Sequence, residues 1–279
     1  GLGAQGMSWQ TSPAATEVEE VVMDWLRAMV GLPPTFTGAI QDTASTATLT
    51  ALLCARERAT GHGQARKGLQ AGEAPLTVYA SDQAHSSVEK AALLAGFGRE
   101  QLRLVGTDSD HALRLDLLEE AIRGDLAAGR RPCALVATTG TTATTALDPV
   151  DGMAELATRH GLWLHVDAAL AGTAMVLPEC RWMWRGVERA DSVVFNPHKW
   201  MLTNFDCSAY FIREPEFTIR AFEIHPEYLK DGAGTQVKNY RDWGIQLGRR
   251  FRALKLWFVI RAYGVEGLRE MLRRHIALA

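Results

Sequence analysis

Residues 192–210, SVVFNPHKWMLTNFDCSAY, join an apolar strand to a side chain of reactive type. The run SVVF is β-branched and aromatic, and it leads directly into residues 196–200, NPHKW. Lysine is usually a surface residue, but Lys199 follows an apolar strand between a histidine and a tryptophan. A lysine that attacks carbonyl carbons as a free amine needs a partly desolvated setting of this kind. The alternative is a lysine whose ammonium group extends from a strand-to-loop turn into solvent, and these residues alone leave both open.

A second apolar strand lies upstream in LWLHVDAALAG, residues 162–172, and ends in Asp167. A carboxylate at the end of a buried strand needs a partner, because an unpaired buried charge is very costly. Ligands of open α/β sheets bind at this carboxyl end of the strands. An aspartate on one strand and a lysine after the next suit pyridoxal 5'-phosphate (PLP). The lysine would form the Schiff base, and the aspartate would pair with the protonated ring nitrogen.

The motifs HVDAA and NPHKW, with SDQAHSS upstream and NFDCSA, YLK and LGRRFR downstream, closely resemble those of the PLP-dependent group II amino-acid decarboxylases. Within that family the chain is most similar to the aromatic-L-amino-acid decarboxylase branch. The resemblance covers essentially the whole chain, in order. It implies an α/β protein of PLP-dependent transferase fold type I (aspartate aminotransferase-like), whose large domain has a mostly parallel seven-stranded sheet between helices.

Composition limits the class of protein. The 279 residues are 47% hydrophobic and 22% charged, which suits one large core. A net charge of −2 gives no reason to expect nucleic acid or an anionic membrane as a partner. The four cysteines lack CxxC spacing, so free thiols in a reducing cytoplasm are favoured over disulfides or a metal site. No apolar run approaches the roughly 20 residues of a membrane span. We therefore expect a cytoplasmic protein.

The domain organisation is expected from the resemblance. Against the family's pattern the chain looks like a fragment, which begins inside the protein and ends on an unfinished helix. We expect residues 1–254 to form the PLP-binding large domain without its N-terminal arm, and residues 255–279 to begin a truncated C-terminal small domain. In the family the missing parts help to build a homodimer with its active site at the subunit interface. The expected partners are therefore an amino-acid substrate and a second copy.

Strand and helix patterns alternate from residue 76 onward. The strands predicted there are LTVYA (76–80), LRLV (102–105), ALVAT (134–138) and LWLHVD (162–167). Repeated βα units of this length predict a mostly parallel sheet. CSAYFI (207–212) follows Lys199 after a turn too short for a crossover helix, so it is predicted to be antiparallel. Near the N-terminus, apolar spacing predicts a helix over residues 16–30 that begins with a capping box of Thr16 and Glu19.

Two polar segments precede helical patterns. Asp42 is followed by Thr43, Ala44 and Ser45, where N–H groups and hydroxyls could meet a phosphate, although simple capping of the helix is commonplace. The resemblance implies that these three residues belong to the cofactor-phosphate loop. His85, in SDQAHSS, could stack on a planar ring or cap the following helix. The resemblance implies a ring-stacking histidine that also helps to position substrate and cofactor.

A threonine-rich turn, residues 138–142, follows the strand ALVAT. Such turns are more often ordinary loop chemistry, but this one lies at the predicted carboxyl end of the sheet. The resemblance favours Thr142 over Thr141 as a contact with cofactor or substrate.

The remaining implied cofactor contacts follow the two strands that carry the reactive pair. The resemblance implies that Ala169 presents a methyl group beneath the ring. It also implies that Asn196 and His198 complete the cofactor cradle, with His198 near the phosphate. Leu170 departs from the tyrosine usual in the family.

Residues 225–240, HPEYLKDGAGTQVKNY, are polar and contain two glycines, which predicts a mobile lid. From the residues alone, Tyr228 within it could be an ordinary surface tyrosine. The resemblance implies that Tyr228 reaches the active site when the loop closes and gives a proton to the carbanionic intermediate. Relatives with phenylalanine at this position tend towards aldehyde formation, so the tyrosine favours an amine product.

The resemblance therefore implies a carboxy-lyase that converts an aromatic L-amino acid (Trp, 5-hydroxy-Trp, DOPA, Tyr or Phe) into its amine and CO2. The implied catalytic residues are Lys199, Asp167, His85 and Tyr228, and no metal is expected. Two alternatives stay open. Within PLP chemistry, the chain could decarboxylate histidine or glutamate, or act as an aldehyde synthase. Outside catalysis, it could be a truncated, inactive PLP-fold domain.

Overall fold

The computed structural model describes residues 4–69, 74–224 and 237–279. The strands are β1 Thr37–Gln41, β2 Leu76–Ser81, β3 Leu102–Val105, β4 Arg131–Thr138, β5 Trp163–Asp167, β6 Ser192–Phe195 and β7 Ser208–Ile212. They form one seven-stranded sheet in the order β1-β7-β6-β5-β4-β2-β3. β7 is antiparallel to both of its neighbours, and the other pairs are parallel. The mostly parallel sheet and the reversed strand after Lys199 are both as the sequence predicts.

Helices cover both faces of this sheet. The α-helices are α1 Pro13–Val30, α2 Ala44–Ala59, α3 Gly63–Lys67, α4 Ser87–Leu94, α5 Leu115–Ala127, α6 Val150–His160, α7 Pro197–Trp200, α8 Pro215–Phe222 and α9 Arg252–Leu278. Short 3₁₀ segments lie at Arg99–Gln101, Ala171–Val176, Pro178–Trp184, Val187–Arg189 and Tyr240–Asp242.

Alternate residues of a central strand enter different cores. On β4, Leu135 and Ala137 join the core under α1, α5, α6 and α9. Ala134 and Val136 join the core under α2 and α4. Successive side chains of a strand point to opposite faces, so a run that is apolar at every position indicates a strand buried on both sides. This explains why the sequence pattern of β4 is continuous rather than alternating.

The predicted start of α1 is wrong. The helix begins at Pro13, not at Thr16, because a proline in the first turn has its φ already set for a helix. Thr16 lies inside the helix, and its hydroxyl donates to the carbonyl of Ser12 at 3.0 Å. Glu19 does not close a capping box. Its carboxylate is buried, where it accepts hydrogen bonds from the backbone N–H of Ile40 at 2.8 Å and from Arg249 at 2.6 Å.

The sheet brings the carboxyl ends of its parallel strands to one edge. Because β1 is antiparallel to β7, and β7 is antiparallel to β6, β1 runs in the same direction as β6. The segments that follow β1, β2, β4, β5 and β6 therefore leave the sheet on the same side. They begin at Asp42, Asp82, Thr139, Ala168 and Asn196.

α9 crosses the predicted domain boundary between residues 254 and 255. The helix is broken at Gly264, where φ is 64° and ψ is 174°. Its buried residues on both sides of that break, including Leu256 and Leu268, join the same core as α1. The assignment of residues 255–279 to a second domain stays a prediction. In the described ranges, no helix combines the length and apolar character needed to cross a membrane.

Candidate functional site

Asp167 ends β5 at the carboxyl edge of the sheet and is buried. Its Oδ1 accepts a hydrogen bond from the backbone N–H of Ala169 at 3.1 Å, whereas its Oδ2 accepts none from the described residues. Burial raises the pKa of this carboxyl above its usual value. The hydrogen bond from Ala169 and the nearby charges of Lys199 and His85 oppose that rise. The site therefore contains a carboxylate oxygen that has no donor among the described residues.

Lys199 lies in the short helix α7, one strand away from Asp167. Its backbone N–H donates to the carbonyl of Asn196 at 2.9 Å, which closes the turn after β6. Its side chain is exposed, and its Nζ has no hydrogen bond or ion pair to any residue that the structure describes. Of the two settings that the sequence left open, the described residues therefore give the solvent-exposed one. The amine is open on the same side of the sheet as Asp167.

His198 and Asn196 flank that turn with fixed side chains. The Nδ1 atom of His198 accepts a hydrogen bond from the backbone N–H of Cys207 at 2.8 Å, so the neutral ring carries its hydrogen on Nε2. Burial lowers the pKa of His198, and the charge of Lys199 adds to this effect. The Oδ1 atom of Asn196 accepts from the hydroxyl of Ser208 at 2.7 Å. Both side chains are thus oriented by β7 and the turn before it.

His85 caps α4, which was one of the two roles that the sequence left open. Its Nδ1 accepts a hydrogen bond from the backbone N–H of Ser87 at 3.1 Å and lies 2.8 Å from the hydroxyl of Ser87. The ring is exposed, and its charge acts on Asp167. Capping and stacking on a ligand are therefore compatible roles for the same side chain.

The segment Thr43, Ala44 and Ser45 forms the start of α2. Thr43 is the N-cap residue, and its hydroxyl accepts from the backbone N–H of Thr46 at 3.3 Å. The hydroxyl of Ser45 is exposed and makes no hydrogen bond within the described ranges. The first N–H groups of a helix have no partner within the helix, and they favour an anion. This helix end can therefore receive a phosphate at the same edge of the sheet.

Thr141 and Thr142 differ in whether their hydroxyl groups are free to contact a ligand. The hydroxyl of Thr141 is buried, lies 2.6 Å from that of Thr144 and accepts from the backbone N–H of Ala146 at 2.8 Å. Thr142 is exposed, and its hydroxyl has no partner among the residues that can be described. The geometry therefore leaves Thr142 free for a ligand, in line with the choice made from the sequence.

Ala169 and Leu170 line the edge after β5. Ala169 is half-buried, and its carbonyl accepts from the backbone N–H of Asn196 at 2.9 Å. Leu170 is exposed beside it. A small methyl group next to Asp167 leaves room for a flat ring. Tyr228 and most of the predicted lid lie outside the described residues.

Asp148 supports this edge and was not singled out from the sequence. It is buried, and it accepts hydrogen bonds from the backbone N–H groups of Leu113 at 3.0 Å and Thr138 at 2.8 Å. Burial raises its pKa to about 6. The carboxylate joins the end of β4 to the loop before α5. Its position after the threonine-rich turn, in LDPV, was the available signal.

Arg252 links two parts of the site that are far apart in the sequence. Its guanidinium group donates to Asp42, which directly precedes the start of α2. It also donates to Asp206 at 3.0 Å, in the turn between Lys199 and β7. No local pattern could have found these contacts, because the partners are separated by 210 and 46 residues.

The buried side chain of His165 connects the elements beneath the candidate site. Its Nδ1 lies 2.9 Å from the hydroxyl of Ser192 in β6, and its Nε2 lies 3.3 Å from that of Thr48 in α2. Burial lowers its pKa to about 3, so the ring is neutral at ordinary pH. His165 lies in β5, the strand that ends in Asp167, and its ring joins this strand to α2 and β6.

Comparison with known proteins identifies the family. The sequence profile described as "Pyridoxal-dependent decarboxylase conserved domain" matches residues 2–279. The chain belongs to the pyridoxal-dependent decarboxylase family. This confirms the family resemblance found in the motifs around Asp167 and Lys199.

Two curated members of this decarboxylase family show how much of a relative the chain covers. It is 47% identical to an aromatic-L-amino-acid decarboxylase of Bos taurus, over 100% of the chain and 59% of that protein. It is 46% identical to a phenylacetaldehyde synthase of Arabidopsis thaliana, over 100% of the chain and 58% of that protein. The chain thus spans less than two thirds of the length of these relatives.

A solved structure of a family member confirms the fold. The crystal structure of Oryza sativa TDC with PLP and tryptamine superposes with a TM-score of 0.92 and 42% sequence identity. The match covers 96% of this chain and 57% of that one. The predicted PLP-dependent transferase fold type I is therefore correct.

PLP, the cofactor of this decarboxylase family, fits the residues at the sheet edge. A protonated ring nitrogen is the kind of donor that the unpaired Oδ2 of Asp167 lacks. A phosphate suits the N-terminus of α2, where Ser45 has a free hydroxyl. An aldehyde carbon suits the unpaired amine of Lys199. The family confirms the cofactor predicted from the sequence, and the roles of individual residues stay predictions.

Proposed function

We propose that the complete protein decarboxylates an aromatic L-amino acid, releasing the corresponding amine and CO2. The observation that carries this proposal is the meeting of Asp167 and Lys199 at one edge of the sheet, in a chain of the pyridoxal-dependent decarboxylase family. The Oδ2 atom of Asp167 lacks a donor and the amine of Lys199 lacks a partner among the described residues, so both groups are available to a ligand.

Three residues of the chain would hold the cofactor's ring and aldehyde carbon. Asp167 would hold a proton on the ring nitrogen of the cofactor, because its free Oδ2 can accept that N–H. Lys199 would supply the amine that holds the cofactor's aldehyde carbon, and Ala169 would leave space under the ring. PLP, when bound, supplies an electron sink conjugated to the α-carbon of the amino acid.

Several polar groups would orient the cofactor from its phosphate side. The N–H groups and hydroxyl at Thr43, Ala44 and Ser45 would bind the phosphate at the start of α2. His198 would donate from Nε2, because Cys207 occupies its Nδ1. Asn196 keeps its amide NH2 group available, because its Oδ1 accepts from Ser208.

Two further residues would act on the substrate. His85 would lie against the ring and help to position the amino acid. Tyr228 would give a proton to the α-carbon after CO2 has left. Both roles follow from the family resemblance, and the exposure of the His85 ring supports the first.

The aromatic substrate class is supported by the named relatives. One is an aromatic-L-amino-acid decarboxylase, and the solved rice structure contains tryptamine, the amine of tryptophan. An aldehyde product is the second candidate, because a phenylacetaldehyde synthase is 46% identical to the chain. Tyr228 favours the amine, and the products distinguish the two outcomes.

The proposal includes a homodimer with the site at the subunit interface, in the cytoplasm. Lys199, His85 and Thr142 are exposed in the single chain, which leaves the site open for a second subunit to cover. The four cysteines are unpaired, which suits a reducing compartment. We also propose that residues 1–254 form the large domain and that residues 255–279 begin the small one.

The test is a product assay on the complete protein with PLP and carboxyl-labelled Trp, 5-hydroxy-Trp, DOPA, Tyr or Phe. We expect labelled CO2 and the amine from wild type, and neither from Lys199→Ala. Borohydride should fix the cofactor to wild type but not to Lys199→Ala. We expect Tyr228→Phe to shift products towards aldehyde and peroxide. Release of no CO2 from any of the five substrates would reject the proposal.

A further inference from the structure

The Nδ1 atom of His85 faces two donor groups of one residue. Ser87 is the first residue of α4 and is buried, whereas the ring of His85 is exposed. The backbone N–H of Ser87 donates to Nδ1 at 3.1 Å, and the Ser87 hydroxyl lies 2.8 Å from the same atom. The serine therefore holds the protein-facing side of the ring and leaves Nε2 on the other side.

This geometry decides which ring nitrogen carries the hydrogen. A backbone N–H can only donate, so the nitrogen that accepts from it must be unprotonated. The neutral His85 ring therefore carries its hydrogen on Nε2. A hydrogen on Nδ1 would point at the N–H of Ser87 and would remove the cap of α4.

We propose that Ser87 is a positioning residue that fixes His85 as the neutral Nε2–H tautomer. His85 then offers the site one N–H donor, at Nε2, for an acceptor oxygen of the bound amino acid. The tautomer rests on the geometry of Ser87 and His85, and its use in catalysis rests on the proposed function.

A matched pair of substitutions tests this assignment. Ser87→Asp replaces the hydroxyl with a carboxylate acceptor, which would compete with the backbone N–H of residue 87 and draw a proton onto Nδ1. Ser87→Asn has nearly the same shape, and its amide group can still donate to Nδ1. A carboxylate in the first turn of a helix is electrostatically favourable, so α4 should tolerate the aspartate. Ser86→Ala is the control, because Ser86 is exposed and its side chain makes no capping bond.

The primary measurement is the ¹⁵N spectrum of histidine ring nitrogens in the complete protein, with His85 assigned by comparison with His85→Gln. At neutral pH we expect an unprotonated Nδ1 and a protonated Nε2 in wild type, Ser86→Ala and Ser87→Asn. In Ser87→Asp we expect the other neutral tautomer, with a protonated Nδ1 and an unprotonated Nε2. In the assay of the complete protein with PLP, kcat for Ser87→Asp should be at least about tenfold below that of Ser87→Asn, as expected for a hydrogen bond to a charged group.

Two results would overturn the assignment. One is a protonated Nδ1 in wild type, and this result needs no variant to fold. The other is the same ring spectrum in Ser87→Asp and Ser87→Asn. A wild type with the expected tautomer that released no CO2 would reject the proposed function and leave the tautomer assignment intact.

Discussion

Asp125 and Asp167 are equally buried, with 3% of each residue exposed, but their surroundings are opposite. Asp125 accepts hydrogen bonds from the hydroxyl of Tyr79 at 2.7 Å and from the guanidinium groups of Arg103 at 2.7 Å and Arg130 at 3.1 Å. Burial alone would raise its pKa, but these donors outweigh burial and lower it. Asp167 has one backbone donor, and burial raises its pKa.

The difference separates a carboxylate that stabilises the fold from one that is available to a ligand. A buried carboxylate with several donors holds elements together, because each donor also depends on it. A buried carboxylate with a free oxygen destabilises the fold until a ligand supplies the missing donor. Asp125 is of the first kind and joins α5 to β2 and β3. Asp167 is of the second kind.

The largest expected effect is the loss of activity in Asp167→Asn. We expect kcat to fall by about 10²–10³-fold, because the amide cannot stabilise a proton on the ring nitrogen as a carboxylate does. The free energy of unfolding should stay the same or rise, because the substitution removes an uncompensated buried charge and its oxygen can still accept from Ala169. The measurements are kcat at saturating PLP and urea unfolding without PLP. A variant with the wild-type rate would remove the contrast with Asp125.

Asp125→Asn should have the converse effect. We expect the free energy of unfolding to fall by roughly 2–4 kcal/mol, because Arg103 and Arg130 lose their carboxylate. This range begins lower than the one for a fully buried pair, because the side chain of Arg130 is 40% exposed. The kcat of the folded variant should remain close to wild type. Urea unfolding and active-site titration together check this expectation.

Asp116→Asn is the matched control for that experiment. Asp116 lies in the same helix and pairs with Arg114, but its side chain is 64% exposed, so we expect no measurable change in the free energy of unfolding. The sign of the pH dependence gives a second check. Since the pKa of Asp125 is lowered from 3.8, its contribution should be present above pH 3.8 and disappear as the pH falls further. An equal loss of stability in both variants would contradict the special status of Asp125.

Asp148 resembles Asp167 in having a raised pKa, so its effect on stability should have the opposite sign to that of Asp125. The folded protein binds the proton of Asp148 more tightly than the unfolded chain does. The free energy of unfolding should therefore fall as the pH rises from about 4 to about 6, by roughly 3 kcal/mol, and then level off. The measurement is the difference between wild type and Asp148→Asn at each pH. A flat difference from pH 4 to pH 7 would show that Asp148 does not titrate in this range.

The smallest expected effects come from the neighbouring threonines. Thr141→Ala should lower the free energy of unfolding by about 1 kcal/mol, because the N–H of Ala146 loses a buried acceptor. Thr142→Ala should leave stability unchanged and weaken PLP binding by about 3- to 10-fold, if its free hydroxyl contacts the cofactor. Fluorescence titration with PLP and urea unfolding measure the two quantities. The opposite pattern would assign the ligand contact to Thr141.

The sequence correctly placed those candidate site residues that come directly after a strand. Asp167 and Lys199 stand directly after apolar strands, so their positions at one edge of the sheet follow from the strand pattern and the direction of the strands. The antiparallel β7 followed from a turn too short for a crossover. His85 could be placed after β2 in the same way, and its two possible roles could be stated but not separated.

The sequence did not predict contacts between side chains that are far apart along the chain. Glu19 reads as part of a capping box, but Arg249, 230 residues away, takes its carboxylate. Arg252 contacts Asp42 and Asp206 without any spacing that would connect them. For Lys199, the sequence left open whether the side chain is partly desolvated or extends into solvent. The turn of α7 leaves its side chain exposed, although β6 before it is buried.

The position of β1 affects the order in which the chain can assemble during synthesis. β1 lies at one edge of the sheet, and its strand neighbour is β7, which ends at Ile212. A ribosome that has released the chain only as far as residue 200 has therefore not yet delivered the strand that pairs with β1. The segment that we propose binds the cofactor phosphate follows β1 directly, so its final placement must wait for β7. We expect a nascent chain to acquire PLP only after residue 212 has left the exit tunnel.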